Sequence, residues 1–195
     1  MSMTRKEQLA HTRERLLDAT VECLVTYGYA GTTTQRIQDA AGLSRGALLH
    51  HFGSKSELLV AAIHHVADQR FAMISSTLEE LEDGPGSLRL LVEAIREAMT
   101  GPYFQAALEL WSASRTDEQL RAALLPAERR LGSALRDLFR RHAGIEDPDE
   151  EALAFESLMA LVRGLEVTRN MRSTSDMADR VVAAWLDSVE RVRRA

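Results

Sequence analysis

From Leu9 to Tyr27 the apolar side chains return at steps of three and four residues, through Leu9, Leu16, Leu17, Thr20, Val21, Leu24 and Tyr27. Only one regular backbone gathers such positions on a single face, the α-helix with 3.6 residues per turn. The same period recurs down the chain, broken at intervals by glycine, and only four prolines and eleven glycines occur in 195 residues. A fold of many short strands joined by tight turns needs more of both. The expectation is an all-α protein of about nine helices.

The breaks between helices are legible one by one. Gly28 ends the first helix; Thr33 offers a side-chain oxygen to the start of a short second helix carrying Ile37, Ala40 and Ala41, and Gly42 closes it in a left-handed turn. Ser44 caps a third helix with Ala47, Leu48 and Phe52 inward, and Gly53 precedes Ser54-Lys55-Ser56-Glu57, a capping box for a fourth. That helix continues through Leu59, Ile63, Val66, Ile74, Leu78 and Leu81 to the turn Asp83-Gly84-Pro85-Gly86. Further helices are predicted near residues 87–99, 103–114, 117–142, 149–170 and 175–194, with Pro126 expected to kink the one it falls in.

A hydrophobic fraction of 45% with 27% charged residues supports a buried core and excludes a disordered tail or a disulfide-held miniprotein. The single cysteine, Cys23, has no partner for an internal bridge and reads as a small core residue. No apolar run reaches membrane-spanning length, and the charged start Met-Ser-Met-Thr-Arg-Lys-Glu-Gln lacks a signal core, so a cytoplasmic protein without membrane contact is expected. The net charge of −5 argues against binding a polyanion, but the average conceals a division. Residues 1–59 hold seven Lys or Arg against six Asp or Glu, and the remainder seventeen against twenty-three.

Two short helices joined by Gly42-Leu43 and backed by a third make a helix-turn-helix, whose second helix enters the major groove of DNA. With Ile37, Ala41, Leu48 and Phe52 inward, Arg45, Ala47, Leu49, His50 and His51 remain for the groove and backbone. Ala47 is small enough to meet a thymine methyl, and Arg45 either forks onto guanine or holds a phosphate. Arg5 and Lys6 form a candidate mobile arm.

The run from Gly28 to Lys55, GYAGTTTQRIQDAAGLSRGALLHHFGSK, resembles the DNA-binding signature of the TetR family of bacterial regulators. The resemblance implies a homodimeric, usually repressing, ligand-released transcription factor with a helix-turn-helix domain over residues 1–55 and a larger helical ligand-binding and dimerisation domain over 56–195. It places Thr33 and Lys55 on phosphates, Arg45 and Ala47 near bases and His51 on the backbone; Ser44 and His50 join them as DNA-binding candidates. Leu49 stands where the family commonly has tyrosine, which removes a phosphate donor and leaves His50 or His51 to supply one. Gln38 stands where alanine is common, so either the packing between the short helices is adjusted or Gln38 tips outward toward DNA, and the outward tip is the expectation.

In the second domain Phe104, Leu108 and Trp111 share a helical face, and with Met99, Phe155 and Met159 they form either a cavity for a small, partly apolar effector or ordinary core. Glu109, Glu156, Arg163 and Glu166 are polar groups set in apolar stretches. Leu158 and Leu165, with Val181, Trp185 and Val189 of the last helix, are expected to build a four-helix contact across a two-fold axis.

No cofactor or metal is expected: the adjacent pairs His50-His51 and His64-His65 point about 100° apart and do not present one ligating face. Gly42-Leu43-Ser44-Arg45-Gly46 matches the G-x-S-x-G elbow of serine hydrolases, but a short helix precedes it where an elbow requires a strand. The chain therefore reads as a regulator, not an enzyme. The rival readings are a helical sensor or scaffold without operator recognition and, more remotely, a hydrolase using Ser44.

Overall fold

The computed structural model describes residues 4–78, 87–171 and 176–193, and among these it contains nine α-helices and no strand. The helices are α1 (Arg5–Gly31), α2 (Thr34–Ala41), α3 (Arg45–His51), α4 (Lys55–Leu78), α5 (Ser87–Ala98), α6 (Pro102–Ser114), α7 (Glu118–Ala143), α8 (Pro148–Val167) and α9 (Asp176–Val192). A single 3₁₀ turn, Arg169–Met171, follows α8. Leu81, the turn Asp83–Gly86, the break from Arg172 to Ser175 and Arg194 lie outside the described residues.

Local chemistry accounts for the ends. The α1 helix starts four residues earlier than its apolar pattern, because Thr4 accepts from the Glu7 amide while the Glu7 carboxylate accepts from the Thr4 amide at 2.7 Å. The sequence carries this capping box as Thr4-x-x-Glu7. At its far end Gly28 has φ 68° and ψ 176°, so the regular helix breaks there before a last turn to Gly31. Asp147 caps α8 by accepting from the Asp149 and Glu150 amides. The α7 helix is helical on both sides of Pro126.

The chain divides into two compact units, residues 1–70 with 101–130 and residues 71–100 with 131–195. In the first, α1 packs against α2 and α6. Its core joins Leu16, Leu17, Ala19 and Cys23 of α1 to Ile37 and Ala41 of α2, Leu48 of α3, Phe52, and Leu58 and Ala62 of α4. Each of the larger side chains contributes about 1.5–3 kcal/mol by leaving water. Leu9 and Tyr27 are exposed, against the expectation from their spacing. Neither belongs to the stretch Leu16–Leu24 that supplies the α1 residues of this core, and the Tyr27 ring instead lies 4.2 Å beneath the Arg36 guanidinium. Ala40 is likewise exposed; Ile37, Gln38 and Ala41 are the buried residues of α2.

Cys23 is buried, and burial pushes its thiol pKa up. Arg70 is buried too, with its guanidinium over the rings of Phe104 and Trp111 and 3.6 Å from Glu128. Nothing in the α4 pattern singled out this charge.

In the second unit α8 packs against α9, and the Trp185 indole N–H donates to Ser157 Oγ at 2.9 Å. Phe139 stacks obliquely on both Phe155 and Trp185. Leu158 and Val189 are 0% and 4% exposed within this chain, which corrects their expected place on a partner-facing seam. The apolar side of α9 splits in two: Val182, Leu186 and Val189 turn into the unit, and Val181 and Trp185 stay half-exposed. Adjacent residues on a helix lie 100° apart, so one apolar band serves as both core and rim.

Candidate nucleic-acid interface

Three side-chain devices hold α2 and α3 at their junction. Thr33 Oγ1 accepts from the Arg36 amide at 3.3 Å, and Ser44 Oγ accepts from the Ala47 amide at 3.2 Å, so each helix has one of its first-turn amides capped. Between them Gly42 sits at φ 60°, ψ 37°, with its own N–H on Asp39 O and the Leu43 N–H on Gln38 O. That left-handed closure strains any residue with a Cβ. From α1, Arg15 Nη2 donates to the carbonyl of Ala41 at 2.6 Å, satisfying an orphan acceptor at the end of α2. Arg15 lay outside the apolar pattern, and only the packing of α1 on α2 brings it to that carbonyl.

With these ends fixed, Leu48 and Phe52 drop into the core and the opposite face of α3 is left open. Arg45, Gly46, Leu49 and His50 are exposed, while Ala47 and His51 are half-buried. In helical projection Arg45, Leu49, Gly46 and His50 fall within an arc of about 140°. Gly46 puts bare backbone in the middle of that arc, with only Ser44 Oγ, 3.8 Å away, near the place a Cβ would occupy. Thr33 and Lys55 are exposed at the flanks.

Gln38 is 8% exposed, so its expected outward tip is corrected: the side chain turns into the protein. Two adjacent residues, Ile37 and Gln38, are thus drawn inward on a helix of only eight residues.

The histidines behave differently from one another. His50 and His51 meet edge to face with centroids 5.5 Å apart. Burial, aided by the neighbouring His50 and Arg13, holds the His51 pKa below its ordinary value and favours the neutral ring. His65 Nε2 lies 2.9 Å from Asp18 Oδ1, which also accepts from the Tyr103 hydroxyl at 3.3 Å, tying α1, α4 and α6 together. No group of three or more His, Cys, Asp or Glu suited to a metal ion occurs among the described residues. The Ser44 hydroxyl of the elbow-like motif lies between two helices and is engaged as a cap.

The remaining candidates fall in different units. Phe104, Leu108 and Trp111 belong to the first, where Phe104 and Trp111 meet edge to face at 5.6 Å; Met99, Phe155 and Met159 belong to the second. Glu109 places its carboxylate 3.0 Å from where a Cβ on Gly28 would stand. Glu156 lies 3.6 Å from Arg136, and Glu166 is 2.9 Å from Arg169, its pKa raised by burial.

Comparison with known proteins agrees with this geometry. Residues 16–62 match the family model described as bacterial regulatory proteins, tetR family. The HTH-type transcriptional repressor AcnR of Corynebacterium efficiens is 31% identical over 73% of this chain and 72% of its own length. Among solved structures, a proposed transcriptional regulator of Pseudomonas aeruginosa PAO1 superposes with a TM-score of 0.69 at 25% identity, covering 92% of this chain and 90% of that one. A TetR transcription regulator of Haloarcula marismortui has the same fold, with a TM-score of 0.72 at 22% identity over 92% of this chain and 98% of the other. The 16–62 match spans the capped α2-turn-α3 pair and its α1 backing, and the relatives extend the likeness along most of the chain: it belongs to the tetR family of bacterial regulatory proteins.

Proposed function

We propose that this DNA-binding transcriptional regulator acts as a homodimeric repressor, with the α3 helices of two chains in successive major grooves of a pseudo-palindromic operator, about 34–36 Å apart. The observation that carries the reading is the division of α3 into a face locked by Leu48 and Phe52 and an open face bearing Arg45, Gly46, Leu49 and His50. Arg45 and Ala47 are assigned to base edges, and Thr33, Ser44, His50, His51 and Lys55 to the backbone around them. The relatives' naming as repressors supports the sign of regulation. Repression is steric.

The dimer uses the half-exposed rim of α8 and α9, with Leu165, Val181 and Trp185 meeting their symmetry mates. A small, partly apolar effector stabilises a separation of the two α3 helices that no longer fits the operator. Effector and operator then oppose each other by one coupling free energy, whichever is titrated first. In this reading residues 1–55 read DNA and residues 56–195 sense and dimerise, in the cytoplasm and without catalysis. No described helix is long and apolar enough to cross a membrane.

Selection of the purified protein on random duplex DNA tests the reading. An inverted repeat is expected, and Arg45→Ala should flatten preference at one position per half-site. Failure to enrich any duplex, with the protein folded, would refute operator recognition. Operator affinity unchanged by every bound ligand would refute the effector arm alone.

A further inference from the structure

Resting on that operator reading, the structure assigns Leu49 a role of its own: we infer that it is a specificity-determining residue that reads the C5 methyl group of a thymine in each half-site. Leu49 is 49% exposed on a helix whose other large apolar residue, Leu48, is 1% exposed. It stands one turn after Arg45 on the same side, with Gly46 and His50 beside it. A leucine in this position has nothing to offer a phosphate, which takes hydrogen bonds and positive charge. Base edges in the major groove present donors, acceptors and one apolar group, the thymine methyl.

The surroundings favour this occupant over a protein partner. A single leucine between a guanidinium and an imidazole is not an apolar patch of the size that marks a protein contact. The bare backbone at Gly46 removes the side chain that would otherwise hold the helix away from the groove floor. Four residues along a helix advance about 6 Å, and base pairs are stacked about 3.4 Å apart, so the thymine lies about two base pairs from the nucleotide that Arg45 touches.

The test uses the full-length protein and its selected inverted repeat, with deoxyuridine replacing each thymine in turn within one half-site. Deoxyuridine removes only the methyl group. One position should lose about fourfold in affinity, the worth of a buried methyl at about 0.8 kcal/mol, and Leu49→Ala should abolish that difference while relaxing selection for thymine there. Leu49→Met should keep both. Because Leu49 is exposed, Leu49→Ala should melt with the parent protein.

An operator indifferent to every methyl overturns the inference and leaves operator recognition standing; so does a methyl effect that survives Leu49→Ala, since another residue then reads it. A change in the DNA-free oligomeric state on Leu49→Ala makes the leucine a protein contact and overturns it too. If no duplex is enriched at all, the operator reading falls and takes this one with it.

Discussion

Gly46→Ala separates folding from recognition more cleanly than any other single change in this chain. Gly46 lies inside α3 without a positive φ, and a Cβ there meets only Ser44 Oγ, at an ordinary 3.8 Å. Alanine is favoured over glycine in a helix by about 0.5–1 kcal/mol, largely because it restricts the unfolded chain. For a protein of this size that gain raises the melting temperature by about 1–4 °C at fixed protein concentration. The same methyl sits in the middle of the arc formed by Arg45, Leu49 and His50, which in the proposed docking faces the groove. Overfilling a packed contact costs about 1–3 kcal/mol, or roughly 5- to 150-fold in operator affinity. Thermal melting and operator titration on the same preparation are the measurements. A variant that melts higher and binds the operator as tightly as its parent refutes the orientation of α3 argued above; one that melts lower refutes the packing around Gly46.

Three further changes probe the devices that hold this face. Ser44→Ala removes the α3 cap and should cost about 1 kcal/mol of stability with a parallel loss of operator binding, and an ester-hydrolase activity that vanished with it would revive the enzymatic reading. Gly28→Ala forces a side chain to φ 68°, ψ 176° and toward the Glu109 carboxylate at 3.0 Å, so a loss of about 1–3 kcal/mol is expected in chemical denaturation, and an unaltered midpoint would contradict the break in α1. His51 has its pKa lowered by burial and by His50 and Arg13, so the folded protein prefers the neutral ring. Its contribution to stability is present above the unfolded value of about 6.5 and is lost as pH falls through the lowered folded value. Melting from pH 8 to 5 should show that decline, and His51→Gln should flatten it; an identical slope in both proteins would assign the titration elsewhere.

Punctuation made the helix-turn-helix legible. Thr33, Gly42, Ser44 and Ser54 act through hydrogen bonds to residues within four positions, and local sequence decides such bonds whatever else the chain does. Ile37, Leu48 and Phe52 could be placed inward because a two-turn helix has few ways to bury one face. The same reasoning failed for Gln38, Ala40, Leu9 and Tyr27, where a neighbouring helix, or its absence, outweighed the period. Arg15 on the α2 carboxyl end and the Asp18-His65-Tyr103 cluster were invisible for another reason: their partners lie between 26 and 85 positions away.

For α8 and α9 the apolar band is wide enough for two surfaces, and only the tertiary packing turns Leu158 and Val189 to the interior while Val181 and Trp185 remain at the rim. Short-range capping and periodicity thus determined the helices and their order, and the run from Gly28 to Lys55 carried the likeness to the family. Which residues of each apolar band are core and which are surface was decided only when helices distant in sequence packed together, because burial is a property of neighbours in space and not of spacing along the chain.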